Sequence, residues 1–388
     1  MSIAAISRPV PTSARSHALE VCISKIRSNI QLLAERPTTW ALAVDGDYAA
    51  WKEGFYEIGN WTASFFTGMA VIAFKQTNDR YFLEETTRLQ PFYEAKVGEH
   101  SGDTMHDIGF LYSLYSIALY KVTGDTKHRD LALKAAQVLA DRFIPEGNYI
   151  RAWGRMDDQG SDYAGLAIID CMMNLPLLYW ASEETGDPRF KDIALRHSDT
   201  TLAHFIREDD SVYHSYRFDS HGAPVGGDNY CGRAVESHWA RGATWAIYGF
   251  AMGYRYTGDP RYLDASLRLA RRFISLLDDE VVPIWDFRLD PEAPFIRDSS
   301  AAAIAACAFQ ELEALNAADE TMKAAKNALL DRLCSPDYLD ENPAIKGVLK
   351  QGEVGDGVGK AKSAYTSWGD YYFMEALARE SGTAIDWW

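Results

Sequence analysis

Two carboxylates hold the chemical interest of this 388-residue chain. Asp107 lies in His106-Asp107-Ile108-Gly109-Phe110, and Asp170 lies in Ile169-Asp170-Cys171-Met172-Met173-Asn174. Each stands near the start of an apolar run. Phe110, Leu111, Leu114 and Ile117 follow the first, and Leu175, Leu177, Leu178 and Trp180 follow the second. A lone Asp in such a place is more often a helix cap or a structural residue. Two of them, at matching places in matching repeats, point instead to paired acid–base work, above all on sugars. Two like charges in one cavity push one pKa up, burial adds to that, and a helix N-terminus opposes it. Asp107, at the first turn of its run, is expected to stay ionised. Asp170, among Ile168, Ile169, Met172 and Met173, is expected to be desolvated and to donate the proton.

Other residue types fit around such a pair. Arg241 offers a planar fork for a carboxylate. Trp61, Trp153, Trp245, Trp285 and Trp368 offer flat faces for sugar rings, with two of the five allowed to core packing. His106, His214 and His238 either polarise a substrate or are neutral and satisfied. No His or Cys set has metal-ligand spacing, and no phosphate-binding P-loop occurs. Neither a metal nor another cofactor is expected.

The elements that must position these groups repeat. Thr77-Asn78-Asp79, Thr123-Gly124-Asp125, Thr185-Gly186-Asp187-Pro188 and Thr257-Gly258-Asp259-Pro260 each end one helical pattern and begin another. Gly gives the left-handed stop, Asp the next N-cap, and Pro the first helical position. The helices before each turn are apolar nearly all round: 65–74, 110–120, 166–180 and 245–256. Those after it carry charge on one face: 80–89, 127–143, 189–206 and 261–277. The first kind is buried and the second lies outside. Two further pairs complete the set. One joins 299–315 to 318–333; the other joins 371–378 to the N-terminal 16–33. Six inner and six outer helices make an all-α (α/α)6 barrel, with an open solenoid as the alternative. The whole of 1–388 reads as one such toroid, with 1–15 a flexible tail. Long connectors at 40–60, 147–165, 209–238, 279–298 and 335–369 precede the inner helices. Connections of that length tend to carry function. A ring of hairpins gathers them, with the inner-helix starts, at one mouth.

Bulk properties narrow the class. Lys and Arg number 39 against 55 Asp and Glu, a net charge of −16. That argues against nucleic acid. No apolar run reaches membrane-spanning length, and residues 1–17 lack the apolar stretch of a secretory leader. The five cysteines are unpatterned and read as reduced core thiols. A cytoplasmic protein, monomer or homodimer, fits these observations.

The quoted motifs resemble the unsaturated glucuronyl hydrolases, glycoside hydrolase family 88. Further matches are Asn60-Trp61-Thr62, Trp239-Ala240-Arg241-Gly242, Trp245-Ala246-Ile247-Tyr248-Gly249-Phe250, Trp285-Asp286-Phe287, Asp298-Ser299-Ser300 and Trp368-Gly369-Asp370-Tyr371. They run through nearly the whole chain and are specific only together. The resemblance implies an (α/α)6 barrel acting on oligosaccharides that lyases leave with a 4,5-unsaturated uronic acid, such as glycosaminoglycan fragments. It implies that Asp170 protonates C4 of the vinyl ether and activates the water that adds at C5. Asp107 then orients the ring and stabilises positive charge. Arg241 and Trp245 match substrate-binding positions, as do Trp61, His106, Trp153 and His214. Two departures, Ala243-Thr244 and Cys231-Gly232 where glutamines are common, leave the second sugar open. Lys360, Lys362 and Ser363 in the 351–365 loop either accept a sulfate or simply face solvent; the second reading is favoured. The alternatives are an unsaturated rhamnogalacturonyl hydrolase acting on pectin fragments and a non-catalytic toroid that binds acidic glycans.

Overall fold

The repeated turn phrases build the molecule as their chemistry dictates. The structure is a computed structural model that describes residues 12–34, 42–43, 48, 54–355 and 357–388. At three turns Gly124, Gly186 and Gly258 take φ of 71°, 74° and 70°. The Thr before each glycine accepts the amide of the Asp after it, at 3.1 Å in all three. That Asp then caps the next helix, accepting from the amides of Lys127, Arg189 and Arg261. One sequence phrase thus ends an inner helix, reverses the chain and starts an outer one.

The inner helices among the described residues are α2 (Ala63–Thr77), the pair α5 (Ile108–Tyr112) and α6 (Ala118–Thr123), α8 (Leu175–Thr185), α10 (Ala240–Thr257), α12 (Ser299–Ala314) and α14 (Ser367–Glu380). The outer ones are α1 (Thr12–Ala34), the pair α3 (Tyr81–Thr87) and α4 (Gln90–Val97), α7 (Thr126–Ala140), α9 (Pro188–His204), α11 (Pro260–Ser275) and α13 (Glu320–Leu333). Each inner helix packs on the next, and α14 packs back on α2 and on α1. The ring is therefore closed, as the pairing of the terminal helices predicts. Inner helices are buried almost throughout, as their all-round apolar character requires.

Four local features differ from expectation. The 110–120 run is helical from Ile108 to Thr123, but Ser113–Ile117 is a π-turn. The 80–89 run splits, because Pro91 begins a second helix at α4. The 166–180 run starts as a strand, β4 (Leu166–Ile168), and a 3-10 turn (Ile169–Met173) precedes α8. Its short apolar start, Leu166-Ala167-Ile168, pairs with a neighbouring strand, and Pro176 stands in the first turn of the true helix. Lastly, Thr12 to Arg15 belong to α1, where Arg15 bonds Asp331 and Glu380. Residues 1–11 of the expected tail lie outside the described residues, as does most of the 40–60 connector.

The long connectors fold into small sheets at the mouth. β2 (Phe143–Ile144) pairs with β3 (Tyr149–Ile150). β5 (Ser215–Phe218) lies between β4 and β6 (Pro224–Asp228). β8 (Ala361–Thr366) lies between β1 (Leu42–Ala43) and β7 (Gly352–Gly355). The opposite end of the barrel is sealed by a buried network. Glu375 accepts from Tyr248 Oη at 2.8 Å, Arg379 Nε at 3.1 Å and Trp388 Nε1 at 2.8 Å. Arg379 and Arg255 both reach Glu311, so two cations meet two carboxylates. The barrel is a blind well.

Candidate active site

A cavity of about 370 Å³ opens at the mouth. Its lining includes Trp61, His106, Asp107, Trp153, Asp170, His214 and Arg241, from six separate stretches of chain. The sheet and the inner helices bring them together. Ile169 donates its amide to His214 O at 3.0 Å, so the β4–β5 pairing sets Asp170 beside His214. His106 donates its amide to Ala152 O at 3.0 Å, which sets it beside Trp153.

Both carboxylates escape the structural roles that most such residues fill. Asp107 occupies the N-cap position of α5, yet its side chain makes no capping bond. Its Oδ1 accepts from Asn174 Nδ2 at 3.1 Å. Its Oδ2 lies 3.3 Å from His106 Nε2, close but without hydrogen-bond geometry. Asp170 sits in the 3-10 turn, and its buried Oδ2 has no partner among the described residues. Burial first, and the charge of Asp107 second, push its pKa up to about 7. A carboxyl so placed holds a proton near neutral pH and is free to give it.

The histidines are sorted by their partners. His214 Nδ1 accepts the amide of Tyr230 at 3.0 Å, and burial pulls its pKa down to about 3. It is a neutral ring with its proton on Nε2, a donor and not a cation. His238 is not in the cavity wall; it packs on Phe287 behind it, with its pKa likewise lowered to about 3 by burial.

Arg241 is held by design of its surroundings. Nη1 donates to Asp298 Oδ2 at 2.7 Å and to Glu353 O at 3.0 Å, and lies 2.9 Å from Glu353 Oε2. Its guanidinium rests over Trp239 at 4.5 Å and Trp368 at 5.3 Å. Burial opposes its charge, but Asp298 and Glu353 outweigh that and hold its pKa above the ordinary value. Those bonds all leave from one nitrogen of the fork.

The tryptophans divide unevenly. Trp61 and Trp153 line the cavity. Trp245 does not, contrary to its expected place among the binding residues. It lies one helical turn below Arg241, fully buried, against Phe110 at 5.3 Å and Tyr372 at 5.4 Å. Trp285 is buried with its indole bonded to Pro294 O, and Trp368 stacks behind Trp61 at 4.9 Å. Three of the five are packing, not two.

Sequence reading missed several groups. Tyr163 and Tyr230, 42% and 45% exposed, stand edge-on to Trp153 at 5.6 and 5.0 Å and form the rim. Both lie in the long connectors, the one signal that marked them. Arg142 is buried under the wall and donates to the carbonyls of Thr104, Arg151, Ala152 and Gly154, fixing the segments that carry His106 and Trp153. Glu353 comes from a loop read only as glycine- and lysine-rich, which folds as the β7–β8 hairpin. Cys231, which the sequence marked only as a departure from a common glutamine, lines the cavity with its thiol pKa pushed up by burial, and so neutral. Among the described residues no group of three His, Cys, Asp or Glu is placed to hold a metal.

Comparison with known proteins meets this geometry. The model of glycosyl hydrolase family 88 matches residues 46–257, more than half of the chain. The chain belongs to glycoside hydrolase family 88. An unsaturated glucuronyl hydrolase from Bacillus sp. (strain GL1) is 35% identical over 85% of this chain and 88% of its own length. An unsaturated chondroitin disaccharide hydrolase from Streptococcus pyogenes serotype M1 is 34% identical over 94% of this chain and 90% of its own. The crystal structure of the Bacillus sp. GL1 enzyme superposes with a TM-score of 0.87 and 32% identity, over 96% of this chain and 99% of that one. The chain therefore shares its barrel with solved relatives and is a glycoside hydrolase.

Proposed function

We propose that this family 88 enzyme releases the 4,5-unsaturated uronic acid from the non-reducing end of lyase-generated, glycosaminoglycan-type oligosaccharides. The relatives named above support the substrate class: one is named for unsaturated glucuronyl groups and the other for unsaturated chondroitin disaccharides. The observation that carries the mechanism is Asp170, a half-buried carboxyl whose enclosed Oδ2 has no partner among the described residues, with a pKa of about 7 and a second carboxylate beside it.

Asp170 gives its proton to C4 of the vinyl ether, and the positive charge that forms is shared between C5 and the ring oxygen. Asp107 stabilises that charge. Asp170, now ionised, takes a proton from the water that adds at C5. The resulting hemiketal opens, breaking the bond between C5 and the ring oxygen. C1 then collapses to an aldehyde and releases the second sugar. The anomeric carbon is never attacked, so the rule linking carboxylate separation to retention or inversion does not apply. Arg241 takes the uronate carboxylate on the fork nitrogen that Asp298 and Glu353 leave unused. Neutral His214 donates to a ring hydroxyl, and Trp61 and Trp153 flank the ring. The same reading takes the protein as a cytoplasmic monomer or homodimer fed by imported oligosaccharides; fractionation and light scattering check those two points.

The test is a pair of disaccharides that differ only at C4–C5. The unsaturated one is consumed and the saturated one is left intact. Comparable cleavage of the saturated compound removes the vinyl-ether mechanism. Turnover of an unsaturated rhamnogalacturonan disaccharide, with none of the chondroitin or hyaluronan ones, moves the substrate to pectin.

A further inference from the structure

Asn174 stands at the N-cap position of α8, where Asn is a common helix cap. It makes no capping bond. Its side chain turns away from its own helix and is fully buried. Oδ1 accepts the amide of Phe110 at 2.7 Å. Nδ2 donates to Asp107 Oδ1 at 3.1 Å and to the backbone oxygen of Asp170 at 3.1 Å. One amide thus meets three groups on the two segments that carry the two acids, and its hydrogen-bonding capacity matches them: one acceptor, two donors.

A second observation shows that the approach is built in. A Cβ at Gly109 would lie 2.5 Å from Asn174 Cα and 2.6 Å from its backbone oxygen. The glycine lets the start of α5 come down onto the 3-10 turn. The contact also divides the work of Asp107. Oδ1 is tied to Asn174, and Oδ2 is left on the side of His106.

We propose that Asn174 is a positioning residue for the two-carboxylate site, fixing the rotamer of Asp107 and its register against Asp170. This role rests on the acid–base reading of Asp107 and Asp170 given above. The charged or titratable groups that bear on the pair are His106, Arg241, Arg142, Cys171 and Cys231. Removing the donor loosens Asp107 and leaves its Oδ1 less compensated. Replacing it by a carboxylate places a third negative charge against the pair, which raises the pH at which Asp170 loses its proton.

The experiment measures kcat, KM and the pH–rate profile of Asn174→Ser and Asn174→Asp on an unsaturated disaccharide, with melting curves alongside. A misplaced acid–base group lowers kcat by about 100-fold. Asn174→Ser, which keeps a shorter donor, falls less than Asn174→Asp, and KM moves by less than about threefold in both. Asn174→Asp also shifts the alkaline limb of the profile to higher pH. In the Asp107→Asn background, Asn174→Ser adds almost nothing to the loss in kcat. A purely structural asparagine gives the opposite pattern: lower melting points, a profile of wild-type shape, and losses that multiply with Asp107→Asn. Either variant with wild-type kcat and profile overturns the role while leaving the reaction intact. If Asn174→Asp does not fold, Asn174→Ser and its cycle with Asp107→Asn decide the matter. A wild-type enzyme that consumes no unsaturated substrate overturns the reaction and the role together.

Discussion

Asp170 couples catalysis to stability through one proton. An Asp in the unfolded chain titrates near 4, about 3.9. In the folded protein Asp170 does so at about 7. Between those values the unfolded chain releases a proton that the folded one keeps, so stability falls as pH rises from about 4 to about 7 and then levels off. Asp170→Asn removes that loss. Its melting point relative to wild type therefore rises across the window and is more favourable at pH 8 than at pH 4.5. A difference that stays constant with pH contradicts a desolvated, protonated Asp170. The same proton sets the alkaline limb of kcat/KM, which declines above about pH 7. Arg241 makes a second residue-level case. A lysine cannot keep the bonds to Asp298 and Glu353 and also present a second nitrogen to a uronate. Arg241→Lys raises KM about tenfold or more, roughly 1.4 kcal/mol of binding, measured by steady-state kinetics. The sequence shows the two acids because they come as a matched pair: one Asp in an apolar run is usually structural, but two at matching places in matching repeats are not so easily explained. It does not show Glu353, which meets Arg241 across 112 residues with no pattern to link them. Nor does it place Trp245. Helical spacing puts that residue on the face of Arg241 but does not say that one turn deeper is already core.

Among the elements, the site depends on two helix starts that touch, that of α5 and the 3-10 turn leading into α8. Gly109 is the contact. Gly109→Ala drives a Cβ into the backbone of Asn174. Overpacking of this kind costs about 1–3 kcal/mol. The variant is expected to lose melting temperature and, because α5 carries Asp107, most of its kcat; an alanine variant with wild-type turnover contradicts this. The helices themselves were legible, because each Thr-Gly-Asp phrase contains its own stop and start chemistry. The strand at Leu166–Ile168 was not. A short apolar run reads equally as a buried helix or a buried strand, and only its partner at Ser215–Phe218 decides. The mouth sheets follow the same rule. Two of their pairings, β1 with β8 and β4 with β5, join connectors distant in sequence, so no local pattern announces them.

The whole molecule is a well with a sealed floor and an open mouth. The floor is held by the network around Glu375, with Trp388 buried against Tyr372 in a stacked pair at 5.9 Å. Trp388→Ala leaves a large void and an unpartnered carboxylate oxygen, and costs about 3–5 kcal/mol. It is expected to lower the melting point sharply with KM unchanged, since the floor lies at the far end from the substrate. The overall charge of −16 opposes an anionic sugar, which makes the buried Arg241 at the mouth the local exception on which binding turns. Closure of the ring was predicted from a count of helices and from the pairing of the first with the last, and α14 against α1 and α2 provides it.

The most direct test of this account follows the ultraviolet absorbance of the conjugated C=C as the protein meets unsaturated chondroitin, hyaluronan and heparin disaccharides. Wild type is expected to remove the absorbance of at least one, and Asp170→Asn, folded and stable, to remove none. Loss of absorbance that survives in Asp170→Asn, or no loss with any of these substrates, contradicts it.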